Sequence, residues 1–334
     1  MGPTIVLAMA PALTADLFDE ALLTRLARTG ELPDARPLAR FDDPRADALL
    51  ARAEVLLTSW GCPPLDDALL RRAPRLRAVV HAAGTVKQHV TTACFARGLA
   101  VSSAAAANAI PVAEYTLAAI LFSNKKIFRL RDRYREVRGL RFWPNEAPGL
   151  GNHRKTVGIV GASHIGRRVL TLLRPFDLDA LVFDPFLDAA GAAALGATNV
   201  PLDELLVRSD VVSLHAPSLP ETRHLLDARR LALMRDGATL VNSARGALVE
   251  TDALVQELVS GRIDAVLDTT EPEILPADSP LYTLPNVFLT PHVAGSLGSE
   301  TRRMAVLAVE EIERFARGEP LLHGLRADDL ARVA

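Results

Sequence analysis

The sequence predicts an α/β protein with two doubly wound parallel sheets. Short apolar runs alternate with amphipathic, helix-like stretches along the chain, and this alternation is typical of repeated strand–helix units in parallel sheets. The runs form two series that are separated by a long helical stretch. A length of 334 residues also favours two domains over one. We therefore expect two domains, each built on its own sheet.

The first series contains four predicted strands. They are TIVLAMA at 4–10, EVLLTSW at 54–60, LRAVVHAA at 76–83 and LAVSS at 99–103. The stretches between them, such as DLFDEALLTRLAR, have apolar residues at helical spacing. We expect this series to form the first part of one domain, over residues 1–104.

The second series contains six predicted strands. They are TVGIVG at 156–161, ALVFD at 180–184, VVSLHAP at 211–217, ATLVNSA at 238–244, AVLDT at 265–269 and VFLTPH at 287–292. This series predicts a second and larger domain over residues 105–296.

Two long helices are predicted next to the second series. One runs from Pro111 to about Arg138, with Pro111 in its first turn, where the missing N–H costs little. The other runs from Ser299 to Arg317 and stops at Gly318. It follows the last predicted strand, so it can return the chain to the first domain. We expect residues 297–334 to complete a discontinuous first domain, with the two helices acting as a hinge.

The composition excludes several classes of protein. The net charge is −2, from 38 basic and 40 acidic residues, which argues against a nucleic-acid partner. Cys62 and Cys94 are too few for a disulfide framework and lack metal-ligand spacing. The amino terminus lacks a basic signal-peptide region, and by inspection of the sequence no apolar run approaches the roughly 20 residues of a membrane span. We expect a cytoplasmic protein without a membrane partner or a metal.

A glycine-rich loop follows the first strand of the second series. In GIVGASHIG, the dinucleotide fingerprint G-x-G-x-x-G falls on Gly161 to Gly166, with Ser163 in place of the middle glycine. His164 and Ile165 complete the frame. Serine is small, and its hydroxyl could donate to a phosphate. The loop therefore predicts a dinucleotide cofactor.

An acid at the end of the next strand indicates which dinucleotide is bound. Asp184 ends ALVFD and is followed by Pro185 and Phe186 rather than by arginine. An acid at this place can bind both ribose hydroxyls and repel a 2′-phosphate. We therefore expect NAD rather than NADP, with a loop acid or a helix N-cap as the alternative interpretation of Asp184.

Three residues with side chains suited to catalysis each follow a predicted strand of the second series. Arg245 lies in NSARGALV, Glu273 in DTTEPEIL and His292 in TPHVAGS. An arginine can hold an anionic substrate through its guanidinium fork. A histidine can move a proton near neutral pH, and a carboxylate can keep that histidine charged. The combination predicts an enzyme.

Together these motifs resemble those of the D-isomer-specific 2-hydroxyacid dehydrogenases, which include phosphoglycerate, glyoxylate and hydroxypyruvate reductases. LHAPSLPETRHLLD, PVAEYTLA and PLYTLPNVFLTPH match as well, and the resemblance covers almost the whole length. It implies a flavodoxin-like substrate domain, an inserted Rossmann cofactor domain and a homodimer through residues 111–142. It also implies hydride transfer between NAD(H) and a small 2-oxo or D-2-hydroxy acid.

The resemblance implies roles for single residues. His292 matches the acid/base of the family, Arg245 matches the anchor of the substrate carboxylate and carbonyl oxygen, and Asp268 would face the nicotinamide carboxamide. The acidic partner of the histidine falls on Glu273, counted from Asp268, and Glu271 stays open as the alternative. The other implied cofactor contacts are His215, Ala216, Pro217, Ala244 and Gly295, with no proton chemistry assigned to His215.

The resemblance also places the substrate loop of the first domain at HAAGTVKQHV, residues 81–90. Ala83 and Gly84 match the residues whose backbone N–H groups bind the substrate carboxylate. The chain departs from the family at Val86, where an acid is frequent, and at Ile274, where proline is common. These departures leave open which 2-oxo or 2-hydroxy acid is the substrate.

Two other functions remain as alternatives. An NAD-sensing, corepressor-like binding protein on the same fold could keep all three residues, and turnover of a simple 2-oxo acid would separate an enzyme from such a sensor. A formate or phosphite dehydrogenase-like enzyme is the second alternative. Glu273 argues against the formate enzymes, which pair the histidine with glutamine. Gly84 stands where the phosphite enzymes need a basic residue.

Overall fold

The computed structural model describes residues 2–139 and 149–330. Two compact units are present. Unit 1 comprises Met1–Ala109 and Ser296–Ala334, and unit 2 comprises Ile110–Gly295. Unit 1 is therefore discontinuous in sequence. The first boundary falls later than the predicted end at residue 104, because it lies within a helix and not before it. Residues 331–334 of the predicted first domain lie outside the described residues.

Unit 1 is built on a five-stranded sheet with the order β1-β2-β3-β4-β12. The strands are β1 (Ile5–Ala8), β2 (Val55–Thr58), β3 (Ala78–His81), β4 (Ala100–Ser103) and β12 (Gly324–Leu325). The first four pair in parallel, which confirms the four predicted strands, and β12 pairs antiparallel with β4. β12 was not predicted, because a strand of two residues carries no readable periodicity.

Helices cover both faces of this sheet. They are α1 (Pro11–Leu17), α2 (Glu20–Thr29), α3 (Ala46–Leu50), α4 (Asp67–Arg72), α5 (Thr92–Ala96) and α13 (Thr301–Ala316). One face packs against α1, α2 and α13, and the other packs against α3, α4 and α5. The predicted C-terminal helix is confirmed. Its first residues form a 3₁₀ turn, and the helix ends before Gly318, which has φ +71°.

Unit 2 is built on a seven-stranded sheet with the order β11-β10-β9-β8-β5-β6-β7. The strands are β5 (Lys155–Val160), β6 (Leu178–Phe183), β7 (Thr198–Asn199), β8 (Val211–Leu214), β9 (Thr239–Asn242), β10 (Asp264–Leu267) and β11 (Val287–Leu289). All of them pair in parallel, so the six predicted strands are confirmed. The order reverses beside β5, and ligands bind at the carboxyl ends of strands at such a switch point.

The remaining helices of the described residues run from the end of the first part of unit 1 through unit 2. They are α6 (Ala105–Asn124), α7 (Ile127–Val137), α8 (His164–Leu173), α9 (Ala189–Ala194), α10 (Leu202–Arg208), α11 (Ala228–Leu233) and α12 (Thr251–Val259). Several helices of both units begin after a side chain that accepts a hydrogen bond from the first turn. These capping residues are Asp19, Asp66, Ser163, Asp188 and Asp227.

The predicted helix from Pro111 to Arg138 was wrong in two respects. α6 begins at Ala105, so Pro111 lies inside the helix and not in its first turn. The alanines before it favour the helix, and Ala104 and Ala107 are buried together with Met304. The helix is also interrupted at Lys126, which has φ +52°, and α7 then starts as a separate helix.

α6 also corrects the expectation about apolar runs. It is long and apolar enough to cross a membrane by length and composition alone, and no other helix within residues 2–139 and 149–330 is. Its residues Ala113 and Ile120 are fully buried and pack in the core of unit 2. We therefore interpret α6 as a core helix.

Candidate functional site

The glycine loop lies between β5 and α8 and needs two of its glycines for steric reasons. Gly161 has φ +100°, and a Cβ there would lie 2.6 Å from the backbone nitrogen of Ala216. A Cβ on Gly166 would lie 2.0 Å from the carbonyl oxygen of Gly161. Only glycine fits these positions. The loop therefore presents bare backbone at the switch point of the sheet.

Ser163 takes the place of the middle glycine without backbone strain. Its φ and ψ are −65° and −179°, which any L-residue adopts, and its Oγ accepts from the backbone N–H of Gly166 at 3.4 Å. Ser163 is thus the N-cap of the ten-residue α8. The exposed His164 and the half-buried Ile165 follow as the first residues of that helix. A helix N-terminus behind a tight glycine turn suits a pyrophosphate, so the loop fits a dinucleotide.

Asp184 follows β6 and contacts the glycine loop directly. Its Oδ2 accepts from the backbone N–H of Ala162 at 2.7 Å, and its Oδ1 accepts from that of Phe186 at 2.8 Å. Each carboxylate oxygen has two acceptor sites, so both keep one for a further donor. The loop-acid interpretation and the ribose-binding interpretation are therefore compatible.

His215 lies after β8, beneath the glycine loop. It is 3% exposed, its Nε2 lies 2.9 Å from Ser213 Oγ, and its Nδ1 has no partner among the described residues. Burial lowers the pKa of His215 to about 3. The ring is neutral at physiological pH and carries no proton chemistry. Ala216 and Ala244 are buried beside the same strand ends, and Pro217 is half-buried.

Glu273 and His292 meet at the carboxyl ends of β10 and β11. His292 Nδ1 lies 2.6 Å from Glu273 Oε1, and the side chains are 46% and 56% exposed respectively. The two loops are close because β10 and β11 are neighbours in parallel. Since a carboxylate only accepts, Nδ1 carries the hydrogen of this bond. Nε2 is therefore the ring nitrogen left for a substrate.

Glu271 has a different partner. Arg223 Nη1 donates to its Oε1 at 2.7 Å, and His224 Nε2 lies 3.5 Å from its Oε2. The Arg223 guanidinium holds the pKa of Glu271 below its usual range. Of the two acids that the sequence left open, Glu273 is the one in contact with His292.

Arg245 follows β9 in the same row of strand ends. Its Nη1 donates to the carbonyl oxygen of Ala244 at 2.6 Å, and among the described residues no other group accepts from its guanidinium. Burial lowers the pKa of Arg245, and the negative charge of Glu273 opposes that shift. Most of the guanidinium fork is thus left for an anion.

A hydrogen-bonded network around a buried carboxylate beneath this row was missed by sequence reasoning. Asp268 is 2% exposed, and its carboxylate accepts from the Thr290 hydroxyl at 2.6 Å and from the N–H groups of Val293 at 2.8 Å and Ala294 at 2.9 Å. Thr290 Oγ1 lies 2.8 Å from the Tyr115 hydroxyl on α6. The polar residues in PVAEYTLA and TPH were the available signal. Gly295, half-buried, closes the segment.

The substrate loop predicted in unit 1 starts from the end of β3. Ala83 is buried, and a Cβ on Gly84 would lie 3.2 Å from Asn108 Nδ2. Asn108 Oδ1 accepts from the N–H of Ser296 at 2.9 Å. Val86 is fully buried in the core of unit 1. The departure from the family at this position therefore fills the core and is no surface change.

The chain matches the family described as D-isomer specific 2-hydroxyacid dehydrogenase, NAD binding domain, over residues 117–294. It is 34% identical over 280 residues to the D-3-phosphoglycerate dehydrogenase of Mycobacterium bovis, covering 83% of this chain and 50% of that protein. The chain thus spans about half the length of that relative. It is 33% identical to the glyoxylate reductase of Aeropyrum pernix, covering 92% of both chains.

The fold is also shared with a solved structure. The phosphoglycerate oxidoreductase of Rhizobium etli superposes with a TM-score of 0.81 at 26% identity, covering 97% of this chain and 98% of the other. A nearly complete overlap at this level supports the two-domain fold described above.

Proposed function

Because the chain belongs to the D-isomer-specific 2-hydroxyacid dehydrogenase family, we propose that it transfers a hydride between NAD(H) and a small 2-oxo or D-2-hydroxy acid. The family membership confirms the resemblance from which this proposal started. The matched family is described as an NAD binding domain, which supports a nicotinamide cofactor. The observation that carries the catalytic roles is the 2.6 Å contact between His292 Nδ1 and Glu273 Oε1.

The cofactor would be held by the carboxyl edge of the sheet in unit 2. The glycine loop and the α8 N-terminus would bind its pyrophosphate, and Asp184 would bind the ribose hydroxyls of its adenosine half. His215, Ala216, Pro217, Ala244, Asp268 and Gly295 stay predicted contacts. When bound, the nicotinamide supplies the hydride in reduction and accepts it in oxidation.

His292 would act as the acid and base. In reduction, the substrate carbonyl oxygen gains negative charge and needs a proton, which Nε2 can donate. In oxidation, Nε2 takes the proton from the hydroxyl group. Glu273 accepts the hydrogen bond of Nδ1 and thereby fixes the tautomer and the orientation of the ring. His292 and Glu273 would therefore act together in both reduction and oxidation.

Arg245 would bind the substrate carboxylate and polarise its carbonyl oxygen. Its partly buried, largely unpaired fork suits bidentate binding of a carboxylate, and its effect grows as negative charge develops on the oxygen. Ala83 and Gly84 stay predicted substrate contacts, as the resemblance implies.

We further propose a homodimer through residues 111–142. α7 buries none of its residues, and large apolar side chains are exposed along this segment. These are Phe122, Ile127, Tyr134 and Val137, with exposures of 48%, 37%, 59% and 53% respectively. Residues 140–142 of the segment lie outside the described residues. A cytoplasmic location also stays a prediction.

The proposed function is tested by oxidation of NADH and NADPH against a panel of 2-oxo acids. The panel contains glyoxylate, hydroxypyruvate, pyruvate and bulkier acids, with D-3-phosphoglycerate and NAD⁺ for the reverse direction. We expect turnover with NADH and a clear preference for one acid. Tight NADH binding without turnover of any acid would contradict the proposal and favour a sensor.

A further inference from the structure

His292 has an unusual backbone conformation for a residue with a side chain. Its φ is +56°, in the left-handed region that few residues other than glycine adopt. Such a conformation persists only where the surrounding structure enforces it. The position of the imidazole therefore depends on whatever holds residues 290–294.

Asp268 holds this segment with three consecutive bonds. Its carbonyl oxygen accepts from the N–H of His292 at 2.9 Å, and its carboxylate accepts from the N–H groups of Val293 and Ala294. One residue thus satisfies the backbone donors of the turn in which His292 lies. A shift of the Asp268 carboxylate would release that turn.

The direction of each hydrogen bond in the network beneath follows from its donors. The ionised Asp268 carboxylate only accepts, so the Thr290 hydroxyl donates to it at 2.6 Å. The single hydroxyl hydrogen of Thr290 is then used. The 2.8 Å contact with Tyr115 must therefore be a bond that the Tyr115 hydroxyl donates. Burial raises the pKa of Tyr115, so the phenol keeps its hydrogen.

We propose that Thr290 and Tyr115 are positioning residues that act through Asp268 on His292. Tyr115 orients Thr290, Thr290 fixes the Asp268 carboxylate, and Asp268 holds the left-handed turn that aims the imidazole. This role rests on the proposed function, in which His292 must meet the substrate oxygen with its Nε2.

The decisive variant is Thr290→Val, which keeps the shape of the side chain and removes its hydroxyl. We expect kcat to fall by roughly ten- to hundredfold, because small displacements of a reacting group cost that much, while KM for the 2-oxo acid stays unchanged. Thr290→Ser should restore most of kcat, because it returns the donor. A Thr290→Val enzyme with the kcat of the unmodified protein would overturn the proposal.

Thr269→Val is the matched control. Thr269 is buried, at 2% exposure, and adjoins Asp268 as the half-buried Thr290 contacts it, but its hydroxyl has no hydrogen-bond partner among the described residues. It should leave kcat unchanged. An equal loss in Thr269→Val and Thr290→Val would show that any hydroxyl removed near Asp268 disturbs the site, and would also overturn the proposal.

Tyr115→Phe tests the order of the chain. We expect a smaller loss of kcat than in Thr290→Val, and no further loss when both changes are combined, because Tyr115 acts only through Thr290. Additive losses in the double variant would show that Tyr115 acts by another route. Tyr115→Phe also serves if Thr290→Val does not fold.

A spectroscopic readout separates this proposal from the proposed function. In protein with ¹⁵N-labelled histidine, long-range spectra assigned with His292→Gln report which ring nitrogen of His292 carries hydrogen. We expect hydrogen on Nδ1 in the unmodified protein and in Thr269→Val, and an altered or broadened signal in Thr290→Val. If no 2-oxo acid is turned over but this response is seen, the proposed function fails and the positioning role stands. An unaltered His292 signal in Thr290→Val would overturn the positioning role.

Discussion

The Asp184 carboxylate accepts a hydrogen bond from the backbone N–H of Ala162 at 2.7 Å. The acid assigned to the ribose therefore also holds the glycine loop in place. One substitution at this position should affect both the affinity for the cofactor and the choice between its two forms.

We predict that Asp184→Ala weakens NADH binding by roughly tenfold, which corresponds to about 1.4 kcal/mol. NADPH binding should weaken less or improve, because the charge that repels a 2′-phosphate is gone. Fluorescence titration with both cofactors measures the ratio. Asp188→Asn is the control, because Asp188 is a nearby exposed acid that caps α9. An unchanged preference in Asp184→Ala would refute the ribose role.

Glu273→Gln should lower kcat for reduction by roughly ten- to hundredfold, since a neutral amide holds the Nδ1 hydrogen of His292 less firmly than a carboxylate does. NADH affinity should not change. Glu271→Gln is the matched control, because Glu271 pairs with Arg223 and not with His292. Steady-state kinetics of both variants decide between the acids. A larger defect in Glu271→Gln would reverse the assignment.

Arg245→Lys should lower kcat/KM by roughly a hundredfold or more, because a lysine cannot reproduce the bidentate fork. The loss should appear with every 2-oxo acid, and NADH binding should be retained. Arg223→Lys, at an exposed ion pair, controls for the loss of any guanidinium. Unchanged catalytic efficiency in Arg245→Lys would show that the fork does not bind substrate.

Two buried histidines should make the protein sensitive to mild acid. Burial lowers the pKa of His215 and of His81 to about 3, and in His81 the neighbouring His89 adds to the effect. Below about pH 6.5, the ordinary histidine pKa, these two side chains bind protons in the unfolded chain but not in the folded chain. The free energy of unfolding therefore falls as the pH falls towards 3.

Each of these histidines should cost about 2 kcal/mol of unfolding free energy at pH 5 relative to pH 7. Urea unfolding at several pH values between these limits measures the slope. His215→Asn should be less stable at pH 7 but should show a flatter dependence on pH. The same slope in this variant and in the unmodified protein would contradict the prediction.

The proposed dimer predicts a change of mass. Val137→Glu should shift the protein from twice the mass of one chain to the mass of a single chain, because it replaces an exposed apolar side chain of the proposed interface with a charge. Light scattering after size exclusion measures both. Val259→Glu, at an equally exposed valine on α12, is the control. A monomeric unmodified protein would remove the proposal.

Much of the fold could be predicted because many of the strands are buried at every residue. Strands that are buried on both faces have mainly apolar sequences, which are easy to recognise. The strands that are buried at every residue are β1, β2, β3, β8, β9 and β10. The two-residue strands β7 and β12 carry too little pattern to be found. The start of α6 was missed because proline suggested a first turn, whereas packing around Ala107 extends the helix.

A residue of the site could be predicted from the sequence only where its motif contains a single residue suited to the role. Glu271 and Glu273 share the motif DTTEPE, so the motif does not show which of them contacts His292. The structure separates them by their partners, which are Arg223 for Glu271 and His292 for Glu273. The bond between Tyr115 and Thr290 joins residues that are 175 positions apart. No local pattern encodes such a contact, because it arises from the packing of α6 against the sheet.

The discontinuity of unit 1 has a consequence for the newly made chain. Ala308 and Ile312 of α13 are fully buried in the same core as Ile5 and Leu26. During synthesis, the part of this sheet face that α13 covers therefore stays exposed until α13 has left the ribosome, although α1 and α2 can already cover the rest of the face. Unit 2 is continuous and can fold earlier. In this waiting interval we expect the nascent protein to depend most on chaperones.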